Sequence, residues 1–217
     1  MSDFAPVSIP RWQWRTVAPD LSWLFRPLSI RESGSFRHLD ETHLVCRQSS
    51  HHAWLAGDTL ELAWRKEVSP EGLELWDTVL RARAPFGRES VGRLFEAWGL
   101  AAPEMAVALP TVPGLLAGPI AASPAIRPAS LVRRCRVAPF HGIDCSLETL
   151  VVDGEIRLQS FSIEHEDPSL VVQVLEELGL GALANTSLLQ GLRVALGLPL
   201  TEPGIRSWPK RSNASTS

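Results

Sequence analysis

Between Asp144 and Glu166 the chain reads as two alternating strands joined by the tight turn Asp153-Gly154, and no other segment restricts the fold as much. The second strand, from Glu155 onward, alternates strictly. Arg157, Gln159, Phe161 and Ile163 fall on one face; Ser160, Ser162 and Glu164 fall on the other, which continues towards Glu166. A strand that sets an apolar face against Ser, Ser and Glu is either half-solvated or lines a polar cavity. The preceding strand, Asp144 to Val152, brings Glu148, which either joins that cavity or points outward.

The same kind of element recurs along the chain. Arg11 to Val17 alternates, with Trp12 and Trp14 on one side and Gln13 and Arg15 on the other. Glu41 to Arg47, Trp54 to Ala56, Thr59 to Arg65 and Ser130 to Val137 read as strands, the middle two joined at Gly57-Asp58 after a His51-His52 turn. Leu73 to Ala84 fits a strand or a short helix. Arg88 to Leu100 is a helix, with Val91, Leu94, Phe95 and Trp98 at i, i+3, i+4 and i+7 and Gly99 near its end. Ser169 to Leu178 and Asn185 to Leu196 are helices, the latter capped by Asn185 or Thr186. Seven or eight strands in neighbouring runs with short turns predict an α+β fold with a largely antiparallel sheet. The expected organisation is a leader over 1–10, one domain over 11–200 and a tail over 201–217.

Composition narrows the function. The formal charge of −3 over 217 residues excludes a general nucleic-acid coat. Of the 21 basic residues 19 are Arg, so cationic chemistry here is that of planar forks rather than point charges. Cys46, Cys135 and Cys145 form no CxxC pair, which argues against cysteine-held zinc and for three small buried fillers in a reducing compartment. The opening residues show no basic region followed by an apolar core, so a cytoplasmic location is expected. The uncharged run after Met105 carries Pro110, Pro113, Pro119 and Pro124 and reads as a loop with short helical pieces, not a membrane span. No phosphate-binding glycine loop, nucleophile elbow or zinc-protease motif occurs, and no His pairs with a Ser or Cys to suggest a triad.

Arg133, Arg134 and Arg136 are the densest basic cluster. Arg134 and Arg136 share a strand face with Val132, while Arg133, Cys135 and Val137 share the other. Guanidinium groups two residues apart on a strand lie about 7 Å apart, a spacing that either straddles neighbouring phosphates or serves surface ion pairs.

The ordered segments RWQWR (11–15), DETHLV (40–45), EGLELW (71–76), RRCR (133–136), IRLQSFSIEHEDP (156–168), ELGL (177–180), NTSLLQGL (185–192) and ALG (195–197) resemble the CYTH superfamily of triphosphate tunnel metalloenzymes. They are most similar to a bacterial branch that opens on a W-E-W-R-T-F-like strand and closes on E-D-P and N-T-S-Y-P-x-G-L signatures. The resemblance implies an eight-stranded antiparallel barrel around a tunnel. In that family, inward Lys and Arg bind a triphosphate, and inward Glu residues hold magnesium or manganese for hydrolysis. Several positions depart from the pattern. Gln13 stands where an acid is expected; Trp54, Ala56 and Ala63 stand for cations; Ser146 and Thr149 stand for acids, leaving Glu148 out of phase. Arg15, Glu41, Arg134, Arg136, Glu164 and Glu166 remain.

The resemblance with these losses leads to the expectation of a tunnel-fold protein with a degraded metal site and little or no triphosphate hydrolysis. Arg15, Arg134 and Arg136 would bind an anionic or phosphorylated small molecule. Glu164 and Glu166 would hold Mg2+ or Mn2+ weakly. No membrane or nucleic-acid partner is expected, and the chain is compatible with a homodimer or a protein partner. Two alternatives stay open. One is an active metal-dependent phosphohydrolase with a changed ligand set of His52, Glu61, Glu148 and Glu164. The other is a Trp-rich domain that binds an apolar ligand between Trp54, Trp64 and Trp76.

Overall fold

A computed structural model describes residues 9–26, 28 and 36–198. Most of the leader over 1–10 and all of the tail over 201–217 lie outside the described residues. Eight antiparallel strands close into a barrel: β1 (Arg11–Ala18), β2 (Arg37–Cys46), β3 (His52–Ala56), β4 (Thr59–Val68), β5 (Glu74–Arg83), β6 (Ile126–Phe140), β7 (Ile143–Val152) and β8 (Ile156–His165). Their order around the ring is β1-β5-β4-β3-β2-β6-β7-β8. Closure removes the exposed edges that a long antiparallel sheet would otherwise present. The ambiguous segment after Leu73 is therefore a strand, because β4 and β1 both need it as a partner. His52 is the first residue of β3 rather than part of a turn.

The helices cover the outside. α1 (Arg88–Ala97) and the short α2 (Val112–Leu115), continued by a π-helical turn over Leu116–Ile120, pack on the outward face of β2 to β4 through Leu44, Ala53, Leu55, Leu60 and Leu62. These are the helical pieces expected after Met105. Among the described residues no helix is long and apolar enough to cross a membrane. α3 (Pro168–Glu177) covers the outward face of β1, β8 and β7, where Val171, Val174 and Leu175 meet Trp14, Leu147, Phe161 and Ile163.

The last helix, α4 (Leu188–Ala195), takes a different place. Leu188, Leu189 and Leu192 cluster with Val17, Val45, Ala129, Leu131, Leu150 and Val152, all on the strand faces that look into the barrel. α4 thus stops one end of the lumen. Gly191 makes the approach feasible: a Cβ there would meet Val17 Cγ2 at 2.9 Å. Arg193, 2% exposed, ties the helix to the β2–β3 connection by donating to the carbonyls of Cys46 and Ser49. The N-cap is Ser187, in a capping box with Gln190, not Asn185 or Thr186. Those two residues have another task. β1 pairs with β5 only from Arg11 to Gln13, and the gap beyond is bridged by Asn185, which accepts from the Arg15 N–H and donates to the Gly72 carbonyl. The Thr186 N–H donates to the Arg15 carbonyl.

Candidate functional site

Strand alternation places one side chain in two inside the ring, and the register fixes which. Gln13 faces Glu164, Arg15 faces Ser162, and Glu148 faces Ser160. The polar face of β8 therefore looks inward, as its pattern predicts, while Trp14 joins the outer core. Glu148 belongs to the same inward set and is not out of phase.

Glu148 is the centre of the lumen. Its carboxylate, 2% exposed, accepts from Arg15 Nη1 at 2.8 Å and from Arg133 Nη2. Arg15 Nη1 also donates to Ser160 Oγ at 2.7 Å, and Nη2 lies 3.8 Å from Glu164 Oε1. Arg133 Nη1 reaches both Glu41 oxygens at 3.2 and 3.3 Å. Burial pushes the Glu148 carboxyl up, but the Arg15 and Arg133 guanidiniums outweigh it and hold the group below the usual carboxylate range. Glu41 has the same balance: burial raises it, and the hydrogen bond from His43 and the charge of Arg133 bring it down further. Burial alone lowers Arg133; Glu148 and Glu41 more than reverse that. The lumen is thus a chain of neutralised charges, Arg15–Glu148–Arg133–Glu41.

Beside this chain lies a cavity of about 600 Å³, within the range of small-molecule sites. Arg15, Arg133, His43, His52, Ser187 and Leu188 line it along with Trp54, Ala63, Trp76 and Gln13; Arg11, Asp77 and Glu166 also belong to its wall. The α4 stopper supplies Ser187 and Leu188. Arg15 and Arg133 each keep a buried Nε–H without a hydrogen-bond partner, closed off from the cavity as from solvent.

The expected site residues do not all meet in the cavity. Arg134 and Arg136 are on the outward face of β6, over the Phe36 ring at 5.1 and 5.9 Å, so they do not point into the cavity. Arg133 takes the inward position. The cause is register: Arg133 pairs with Leu150 and Leu39, and Cys135 with Glu148, all on the lumen side. Glu164 lines the cavity but accepts from Gln13 Nε2, and Glu166 lies exposed beyond the end of β8. His52, Glu61, Glu148 and Glu164 do not converge: His52 bonds to His43, Glu61 lies 3.5 Å from Arg81 Nε, and Glu148 is held by two arginines. Trp54 and Trp76 are cavity walls, whereas Trp64 is 41% exposed and stacks on His51. Sequence reasoning missed His43 and Arg133. The alternation Glu41-His43 on β2 was the available signal for the first.

A divalent cation needs carboxylate oxygens with open lone pairs meeting at one point. Here Glu41, Glu148 and Glu164 each accept from a guanidinium, imidazole or amide donor. Among the described residues no group of three His, Cys, Asp or Glu side chains could hold a metal ion. The residues present do not fit the magnesium or manganese that the family resemblance implies.

No protein-family model matches the chain, and no curated protein matches it in sequence. Solved structures similar to it include a candidate adenylate cyclase of Bacillus halodurans, 12% identical with a TM-score of 0.47, over 85% of this chain and 98% of that one. Two proteins of Pyrococcus horikoshii are also similar. PH1012 is 9% identical (TM-score 0.40, 77% of this chain and 90% of that one), and PH1819 is 9% identical (TM-score 0.42, 83% and 97%). Likenesses this distant decide nothing; the tunnel-like barrel rests on its own strand order.

Proposed function

We propose that this protein binds a small organic anion in the barrel lumen and does not hydrolyse triphosphates. The observation that carries the reading is the pair of guanidinium side chains, Arg15 and Arg133, on the wall of one cavity. They call for an acceptor oxygen. Trp54 and Trp76 call for an apolar body on the same molecule.

The charge balance sets how many negative charges that molecule carries. Arg11, Arg15 and Arg133 on the wall are matched by Asp77, Glu164 and Glu166, and Glu41 and Glu148 stand directly behind the arginines. A polyphosphate with several charges meets net repulsion here. A single carboxylate or phosphate monoester meets two guanidiniums already held in place, which lowers the ordering cost of binding. The resemblance to tunnel phosphohydrolases agrees with an anion in the lumen; the hydrogen bonds of Glu41, Glu148 and Glu164 argue against the metal that their hydrolysis needs.

Calorimetry with phenylacetate, phenyl phosphate and inorganic tripolyphosphate, run beside a phosphate-release assay with magnesium and with manganese, tests this. Phenylacetate and phenyl phosphate should both bind more tightly than tripolyphosphate, Arg15→Gln should weaken them, and phosphate release should match the protein-free blank. Robust release that Glu164→Ala abolishes would refute the proposal.

A further inference from the structure

Glu41, His43 and His52 form a hydrogen-bonded chain across β2 and β3 that anion binding does not by itself require. His43 Nε2 lies 2.9 Å from Glu41 Oε2, and His43 Nδ1 lies 2.7 Å from His52 Nε2. His43 is 1% exposed and His52 8%. Burial is the main force that holds both rings below the ordinary histidine range; for His52 the positive charges of Arg133, Arg15 and Arg193 act in the same direction. Each ring is therefore neutral near pH 7 and carries one proton.

Hydrogen-bond accounting then fixes where each proton sits. Ionised Glu41 only accepts, so the His43 proton is on Nε2. His43 Nδ1 is then a lone pair, so His52 must donate to it from Nε2. His52 Nδ1 is left unprotonated. His52 lines the cavity, and among the described residues none donates to that nitrogen. The wall thus offers two kinds of group: the guanidiniums of Arg15 and Arg133, and an imidazole acceptor at His52.

We propose that the cavity takes a 2-hydroxycarboxylic acid with an apolar or aromatic body. Its carboxylate meets Arg15 and Arg133, its hydroxyl donates to His52 Nδ1, and its body lies against Trp54 and Trp76. This rests on the anion-binding reading above and adds the hydroxyl. A plain carboxylate leaves the imidazole lone pair without a donor. A phosphate dianion offers no donor and brings a second negative charge towards Glu148 and Glu164. Glu41 and His43 act as positioning residues: they set the His52 tautomer and do not touch the ligand.

The test uses the full chain with 15N-labelled histidine, titrated with mandelate and with phenylacetate, which lacks the hydroxyl. His52 should appear as the Nε2–H tautomer before ligand is added. Mandelate should bind about tenfold or more tightly than phenylacetate and should shift the His52 Nδ1 resonance. His52→Leu should bring the two acids to equal affinity while keeping phenylacetate binding. Equal affinity for the pair in the unaltered protein, or a free protein with the proton on Nδ1, overturns the hydroxyl assignment and leaves the anion reading standing. Failure of both acids to bind at millimolar concentration overturns both. If His52→Leu does not fold, the tautomer and the comparison in the unaltered protein decide.

Discussion

Replacing Glu148 with Ala removes the acceptor that two buried arginines share. Arg15 would keep Ser160 Oγ and the 3.8 Å contact with Glu164; Arg133 would keep Glu41. Breaking a buried ion pair from one side costs about 3–5 kcal/mol, because the remaining charge is left uncompensated. The surviving partners put the expected loss near the lower end, about 3 kcal/mol. For a chain of this size that corresponds to a fall in Tm of roughly 6–12 °C. Equilibrium urea unfolding at pH 7, followed by Trp fluorescence, measures it, and the midpoint should move without a change in slope. The pH dependence has a definite sign. Glu148 has a depressed folded pKa, so its contribution is present above the unfolded carboxylate value of 4.5 and fades as pH falls through the lower folded value. The gap between Glu148→Ala and the parent should therefore close in acid. A loss below about 1 kcal/mol at pH 7 would mean that Arg15 and Arg133 are hydrated rather than clamped, and the reasoning about the lumen would fail.

Gly191→Ala should destabilise the protein by about 1–3 kcal/mol through overpacking against Val17, read by the same urea titration; no change would show that α4 does not enter the lumen. His43 and His52 have folded pKa values below the ordinary histidine value of 6.5. The unfolded chain takes up their protons first, so stability should fall as pH drops below 6.5, by up to about 1.4 kcal/mol per pH unit for each ring. Thermal melts between pH 7 and pH 5 should show this slope, reduced in His52→Leu; a flat profile would contradict neutral buried rings.

What the sequence made legible and what it hid have the same physical source. The inward polar face of β8 was readable because Phe161 and Ile163 oppose Ser160, Ser162 and Glu164 without ambiguity. On β6 both faces mix Arg with small apolar residues. Alternation separates Arg133 from Arg134 and Arg136, but it does not say which side is inside. That choice depends on register against β2 and β7. It is further masked because this barrel buries apolar residues on both faces, outside under α1 and α3 and inside under α4. His52 read as part of a turn because β3 has only five residues and begins on it. Its partner His43 lies nine residues away on β2, a pairing that only the closed sheet brings to 2.7 Å. The NTS segment was visible as a signature, but its task of filling the gap between β1 and β5 follows from the strand ends, not from the motif.

The lumenal carboxylates Glu41, Glu148 and Glu164 are bound by the protein's own cations and donors, which leaves no place for a divalent ion. Anomalous diffraction from crystals soaked in millimolar manganese tests this. No anomalous peak should appear among Glu41, Glu148 and Glu164, with Arg15 and Arg133 still joined to Glu148. A fully occupied manganese coordinated by Glu148 and Glu164, with the arginines displaced, would contradict it.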